Sequence, residues 1–246
     1  DSSFGYKSPE EERAFAEQVA EEGAQRLRSL HPDLTVTAVG SRSRATVALD
    51  QSSIMASLIV VGSHGRGRVG ALMLGATAYA VGGHARCPVI VVRSEDAPLP
   101  GPDHPIVVGA DGSDGSERAM EAAAVLAAQW KARLVVVTSW TPPPPDPWNR
   151  PPLNYPSTAA CLEDLLSRAT ALNRAAVARV RAAHEGLSVE EHVVEARPED
   201  AVLTAAADTS VIVLGSRGHS KLAGVLLGST ARSVLHQTKK PVMIVH

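Results

Sequence analysis

The sequence has few cysteines and no long apolar run, and its charges nearly balance. Cys87 and Cys161 lie far apart, without the spacing of a metal-binding cluster, and so few thiols fit a reducing, cytoplasmic compartment. The formal net charge of −2 provides no basic surface that would favour nucleic acid or an acidic membrane. No apolar stretch approaches the roughly 20 residues that span a bilayer. We therefore expect neither nucleic acid nor membrane among the partners.

A repeat of 36 residues divides the chain. Leu58–Arg93 and Val211–His246 align without gaps, and 13 of the 36 positions are identical. The identities include three glycines and one proline in the same register, which predicts two homologous modules rather than two convergent loops. We place the modules at residues 1–97 and 104–246, because the joint at 94–104 is polar and rich in Pro and Gly.

The sequence of the second module predicts a complete, doubly wound α/β domain. Apolar runs alternate with segments of helical periodicity, which is typical of parallel strands joined by right-handed crossovers. We expect the strand order 3-2-1-4-5, with a ligand crevice at the carboxyl ends of the strands. The apolar last strand is also a candidate for pairing across a dimer. The expected strands are Ile106–Ala110, Leu134–Val137, Val189–Val194, Val211–Leu214 and Val242–Val245, and the expected helices are Gly115–Trp130, Thr158–His184, Pro198–Ala207 and Ser229–Gln237.

The first module is a similar but incomplete parallel-sheet unit. Nothing in it corresponds to the first strand, the first helix or the second strand, so its third strand would lack a hydrogen-bonding neighbour. Because the chain begins at Asp1 without Met, we expect an N-terminal truncation; the alternative is a module that borrows a neighbour's edge. The segments that match its second helix, third strand, third helix, fourth strand and fifth strand are Pro9–Leu30, Leu34–Val39, Ala45–Ser52, Ser57–Val61 and Val89–Val92.

The clearest chemical signal is a pair of glycine-bearing stretches around the fourth strand and the last helix. Gly215 and Gly218 follow the strand, and Gly228, Ser229 and Thr230 open the helix. Glycines permit positive φ and a close approach of the backbone to a ligand, and free amides at a helix N-terminus suit phosphate oxygens. Ser229 could donate a hydroxyl and also cap the helix. The spacing differs from that of a Walker loop and of a dinucleotide-binding motif.

This spacing, Gly-2x-Gly-9x-Gly-[Ser/Thr] after the fourth strand, resembles the ATP-binding signature of the universal stress protein family. The sequence IVVGADGSDGS at Ile106–Ser116 resembles the first strand and acidic loop of that family. The likeness covers nearly all of residues 105–246 and part of residues 9–93, as in tandem-domain members.

The resemblance implies a ligand and a set of contacts. It implies ATP, carried with Mg²⁺ in many members, and it implies a dimer. We therefore expect either a homodimer or pairing between the two modules. Asp111 would contact the ribose, and the backbone near Ser139 would contact the adenine. The phosphates would be held by Gly215, Gly218, Gly228, Ser229 and Thr230.

Several of these residues have simpler explanations. Asp111 could stabilise its own turn or cap the first helix, although its place at a strand end beside the glycine loop favours ligand contact. Arg217 and Lys221 could offset phosphate charge or be solvated surface residues. His64 and His219 lack an evident carboxylate partner, and a lone loop histidine is more often exposed than catalytic.

The first module departs from the signature. Gly62, Gly65 and Gly75 keep the spacing, but Ala76 replaces the Ser or Thr. The hydroxyl donor, the acidic loop and the second strand are all missing. We therefore expect no complete nucleotide site in this module.

Three functions are compatible with these patterns. The first is an ATP-binding module that signals stress through its occupancy or dimer geometry, with hydrolysis slow at most, because the cradle lacks a recognisable base, nucleophile or metal cluster. The second is an enzyme that hydrolyses nucleotides or forms adenylates, which would require Asp111 or His219 in proton transfer or water orientation. The third is a scaffold without nucleotide, which Ala76 would fit.

Overall fold

The computed structural model describes residues 8–63, 74–94, 96–146, 150–152, 154–218 and 227–246. The predicted positions His64, Gly65, His219 and Lys221 lie outside these ranges. The chain divides into two compact units, Asp1–Ser52 and Ser53–His246. None of the described helices combines the length and apolar composition that a membrane span requires.

The smaller unit contains two helices, α1 (Pro9–Leu30) and α2 (Ala45–Ser52), whose bounds agree with the prediction. Ser8 caps α1 through a reciprocal pair of hydrogen bonds with Glu11. The predicted strand at Leu34–Val39 is wrong, because residues 8–52 contain no strand with which it could pair. Instead, the Arg28 guanidinium donates a hydrogen bond of 2.8 Å to the Val36 carbonyl.

One mostly parallel sheet of seven strands organises the larger unit, in the order β1-β2-β7-β6-β3-β4-β5. Read from β5 to β7, this is the predicted 3-2-1-4-5 order of the second module. Strands and helices also alternate along the chain, and the α/β class is confirmed. The prediction of one sheet per module is wrong, because the first module adds its two strands to the same sheet. The strands are β1 (Ile59–Gly62), β2 (Val89–Val92), β3 (Ile106–Gly109), β4 (Leu134–Trp140), β5 (Val189–Glu195), β6 (Val211–Gly215) and β7 (Val242–Val245).

The two sets of strands join through β2 and β7, the antiparallel pair in an otherwise parallel sheet. Val89 pairs with Ile244 and Val91 with Val242, and both Val89 and Val91 are fully buried. Because β6 and β2 occupy both edges of β7, that strand has no free edge for the predicted pairing across a dimer. The reversal at β2 also puts the carboxyl ends of β1 and β2 at the opposite end of the sheet from those of β3, β4 and β6.

In the described part of this unit, five helices accompany the strands. Along α4, Ala119, Ala123 and Ala127 are fully buried at helical spacing, and their small side chains let the helix approach the sheet closely. On β3, Ile106 and Val108 pack in the cluster that includes α4 and α5, whereas Val107 is buried on the other face, as expected for a sheet covered on both sides. The helices are α3 (Ala76–His84), α4 (Asp114–Trp130), α5 (Thr158–Ala183), α6 (Pro198–Ala205) and α7 (Ser229–Gln237).

Candidate functional site

A cavity of about 310 Å³ lies at the carboxyl ends of β3, β4 and β6, at the small end of the range for small-molecule sites. All the site residues predicted from the sequence line it: Asp111, Ser139, Gly215, Arg217, Gly218, Gly228, Ser229 and Thr230. The sequence prediction missed the apolar part of the lining, which could have been found from its place at strand ends and at the start of α6. That part includes Ala110, Val137, Pro198, Val202 and Leu214.

The glycine loop is fixed by backbone hydrogen bonds to its neighbours. The Ser216 amide donates to the Val245 carbonyl at 2.7 Å, and the Gly228 amide donates to the Ser216 carbonyl at 2.8 Å. A Cβ at Gly215 would lie 2.7 Å from the carbonyl carbon of Gly115. The predicted positive φ is wrong at Gly215, Gly218 and Gly228, so at Gly215 it is the close approach of two backbones that requires glycine.

The N-terminus of α7 faces this cavity without a side-chain cap. Gly228 occupies the N-cap position, and the predicted capping role of Ser229 is wrong, because Ser229 is already the first residue of the helix. The first amides of a helix have no intrahelical acceptor. In α7 these first amides are the amides of Ser229, Thr230 and Ala231. All three residues line the cavity, and they lie at the positive end of the helix dipole.

Helix α4, whose start also borders the cavity, is capped differently. The Ser113 hydroxyl accepts a hydrogen bond of 3.2 Å from the Ser116 amide. The serine N-cap of α4 thus gives one of the first amides of that helix an acceptor, which the glycine N-cap of α7 does not do. Of helices α4 and α7, which both start beside the cavity, α7 is the one without a side-chain cap.

The acidic loop after β3 closes over the same cavity. Asp111 Oδ1 accepts hydrogen bonds from the Ser113 amide at 2.9 Å and the Ser113 hydroxyl at 2.6 Å, so the turn-stabilising role is real. Gly112 has a φ of +80°, a backbone conformation that favours glycine. Asp111 Oδ2 lies 2.5 Å from the position that a Cβ at Gly218 would take. The acidic loop and the glycine loop are thus in contact.

The charge on the cavity lining comes from few groups. Among the described lining residues, Arg217 is the one cation and Asp111 the one carboxylate. Burial lowers the pKa of the nearby His246 imidazole, and the positive charge of Arg217 lowers it further. The described residues contain no group of three or more His, Cys, Asp or Glu side chains that could hold a metal ion. The cavity lining thus combines the start of a helix, one arginine, one aspartate and an apolar wall.

The first module repeats the two backbone hydrogen bonds at the described ends of the glycine loop. The Ser63 amide donates to the Val92 carbonyl at 2.8 Å, and the Gly75 amide donates to the Ser63 carbonyl at 2.8 Å. Gly75 is likewise the N-cap of its helix, without a side-chain hydrogen bond. The repeat found in the sequence therefore extends to the local backbone structure. The absence of a complete nucleotide site in this module stays a prediction.

Comparisons with known proteins agree with this architecture. The sequence model of the Universal stress protein family matches residues 1–93 and 104–246. Universal stress proteins Rv2005c and Rv2623 of Mycobacterium tuberculosis are 34% and 30% identical over 190 residues, which are 77% of this chain and 61% of each relative's length. The crystal structure of a universal stress protein from Archaeoglobus fulgidus is 22% identical, with a TM-score of 0.67 over 99% of this chain and 81% of that one. The chain belongs to the universal stress protein family.

Proposed function

We propose that the second module binds ATP in this cavity and that its occupancy serves as a signal in a stress response. The observation that carries this proposal is the meeting of the uncapped α7 N-terminus, the glycine loop and the acidic loop around one cavity. Backbone amides at the positive end of a helix favour an anionic group. The lining of the cavity offers polar and apolar surfaces that suit the different parts of a nucleotide.

The triphosphate would lie against the amides of Gly218, Ser229 and Thr230, with the Arg217 guanidinium offsetting part of its charge. The narrow backbone cradle supports this assignment, because side chains at Gly215 or Gly218 would meet atoms at 2.7 Å and 2.5 Å. Mg²⁺ would be held chiefly by the phosphate oxygens, as is usual for this ion.

The adenosine half would occupy the other side of the cavity. Asp111 would accept a hydrogen bond from the ribose, as the family resemblance implies. The backbone at Ser139 would meet the edge of the adenine, and the apolar side chains of Val137 and Val202 would contact its ring.

We further propose that the site binds ATP with little turnover. Asp111 is the sole candidate base in the described lining, and its Oδ1 is already engaged by Ser113. We place the protein in the cytoplasm, because Cys87 and Cys161 are free and buried. A homodimer remains an expectation from the family resemblance.

The direct test is equilibrium dialysis of the purified protein with labelled ATP. We expect saturable binding close to one ATP per chain, and a melting temperature that rises with ATP concentration, because a ligand that binds the native state stabilises it. No binding, together with an unchanged melting temperature, would overturn the proposal in favour of a nucleotide-free scaffold. Single-turnover release of phosphate well above the buffer rate, abolished in Asp111→Ala, would favour an enzyme instead.

A further inference from the structure

A buried amide on α5 links the two strand ends that carry Asp111 and Ser139. Asn173 is 0% exposed, and its Nδ2 donates to the Val136 carbonyl at 3.0 Å and to Thr138 Oγ1 at 3.1 Å. The Thr138 hydroxyl in turn donates to the Ala110 carbonyl at 2.9 Å. A series of side-chain hydrogen bonds therefore connects α5, through Thr138 on β4, to the residue before Asp111.

These side-chain hydrogen bonds extend the pairing of β3 and β4 beyond the last backbone hydrogen bond between the two strands. The Ala110 amide donates to the Val137 carbonyl at 2.8 Å, and after that point the acidic loop turns away from β4. The Thr138 hydroxyl holds the Ala110 carbonyl at the place where the backbone pairing ends. A side-chain hydrogen bond thus adds to the backbone pairing between β4 and the residue before Asp111.

Packing alone does not account for an asparagine at this position. Its helix neighbours Ala169, Ala176, Val177 and Val180 are buried and apolar, and Asn173 Oδ1 has no hydrogen-bond partner among the described residues. A buried polar atom without a partner is destabilising. A leucine would avoid that penalty but would lose the hydrogen bonds that the amide donates to Val136, Thr138 and His192, so the amide has a role besides filling the core.

We propose that Asn173 is a positioning residue for the adenosine half of the ligand. Through Thr138 it holds Ala110 against β4, and so fixes Asp111 and the backbone of Ser139 in one arrangement. This inference rests on the proposed function. The glycine loop touches Asp111 at Gly218, but it also has its own backbone contacts with β7 and with Gly115, so we expect the phosphate cradle to keep its shape without Asn173.

The test compares three ligands in two variants. Affinities for ATP, AMP and inorganic tripolyphosphate are measured by calorimetry for the unmodified protein, Asn173→Leu and Thr138→Val. We expect ATP and AMP to bind about tenfold more weakly in each variant, the size of loss expected when one or two hydrogen bonds no longer preorganise a site. Tripolyphosphate binding should be unchanged. Because both residues act along one path, the double variant should lose less than the product of the single losses.

A matched control separates positioning from stability. Val180→Ala removes a side chain that is 4% exposed on the same helix, and it should lower the melting temperature without changing any of the three affinities. If Asn173→Leu fails to fold, Thr138→Val still carries the test, because it removes one hydroxyl and keeps the side-chain shape.

The outcomes distinguish this inference from the proposed function. Equal weakening of all three ligands, or the same weakening in Val180→Ala, would overturn the positioning role, since stability would then explain the loss. Unchanged ATP and AMP affinities in the variants would overturn it while leaving the proposed function intact. Absence of ATP binding in the unmodified protein would overturn both.

Discussion

We expect the Gly228→Asp variant to bind ATP at least about 100-fold more weakly than the unmodified protein while keeping its fold. A Cβ at Gly228 would lie 3.5 Å from Arg217 Cα and 3.7 Å from the Gly218 nitrogen, which are ordinary contact distances. The backbone at φ −59° and ψ 157° suits any residue, and aspartate is a favourable N-cap. The fold should therefore accept the substitution.

The loss of affinity would come from charge. A carboxylate at the N-cap would stand beside the triphosphate, and two like charges about 4 Å apart repel by roughly 4 kcal/mol at an effective dielectric constant near 20. Since about 1.4 kcal/mol corresponds to tenfold in affinity, a loss of about 100-fold or more follows. Dialysis with labelled ATP measures it, and thermal unfolding checks the fold.

Two controls isolate this charge effect. Gly228→Asn has nearly the same size without the charge, and it should weaken ATP binding by no more than about tenfold, the equivalent of roughly 1.4 kcal/mol. Gly75→Asp introduces the same charge at the N-cap of α3 and should leave ATP binding by the second module unchanged. If Gly228→Asp bound ATP as tightly as the unmodified protein, the phosphates would have to lie elsewhere.

We expect Gly115→Ala to destabilise the fold by about 1–3 kcal/mol, the usual range for overpacking. Gly115 is buried in the first turn of α4, and a Cβ there would lie 2.4 Å from the Arg217 carbonyl oxygen. Helix propensity alone predicts the opposite sign, a gain of about 1 kcal/mol for alanine over glycine. Because the clash is with backbone of the glycine loop, ATP affinity should fall together with stability.

Gly82→Ala in α3 provides the matched comparison. A Cβ at Gly82 meets no atom within 4 Å, so alanine should leave the free energy of unfolding unchanged or raise it by up to about 1 kcal/mol. The two variants are compared by denaturant unfolding. The dependence of the free energy of unfolding on denaturant concentration should be the same in both. A Gly115→Ala protein as stable as the unmodified one would mean that α4 does not support the glycine loop as described.

The local elements of the fold were largely predictable from the sequence. The bounds of α1, α2, α7, β2 and β7 agree with the prediction, because caps, prolines and apolar runs are local signals. The expected strand at Leu34–Val39 failed for a nonlocal reason. A strand requires a hydrogen-bonding neighbour, and the missing central strands of the first module leave this segment without one, although its apolar pattern alone favours a strand.

Long-range contacts explain the other differences. An apolar run such as β7 does not specify which strand it pairs with, so pairing between the modules was among the expectations, but its form, an antiparallel junction of β2 with β7, was not. The need for glycine at position 215 arises from the backbone of Gly115, far away in the sequence. The cap of α7 was misplaced by one residue, since sequence alone does not separate the N-cap from the first helical position.

The site was predictable where a topological rule applied. Loops at the carboxyl ends of parallel strands converge, and this rule favoured Asp111 as a neighbour of the glycine loop in advance, whereas Ser139 was implied by the family resemblance. Asn173 was missed because Thr158–His184 was predicted only as a helix, without regard to its individual polar residues. A signal was nonetheless available, since this polar residue falls at helical spacing among the alanines and valines of the apolar face.

The most direct test of the phosphate assignment is an ATP titration of the isotope-labelled protein, followed through its backbone amide resonances. We predict that the amides of Gly218, Ser229 and Thr230 shift the most, and that tripolyphosphate alone shifts the same three. Saturable ATP binding that leaves these amides unshifted, with the changes elsewhere on the protein, would contradict the phosphate cradle proposed for this fold.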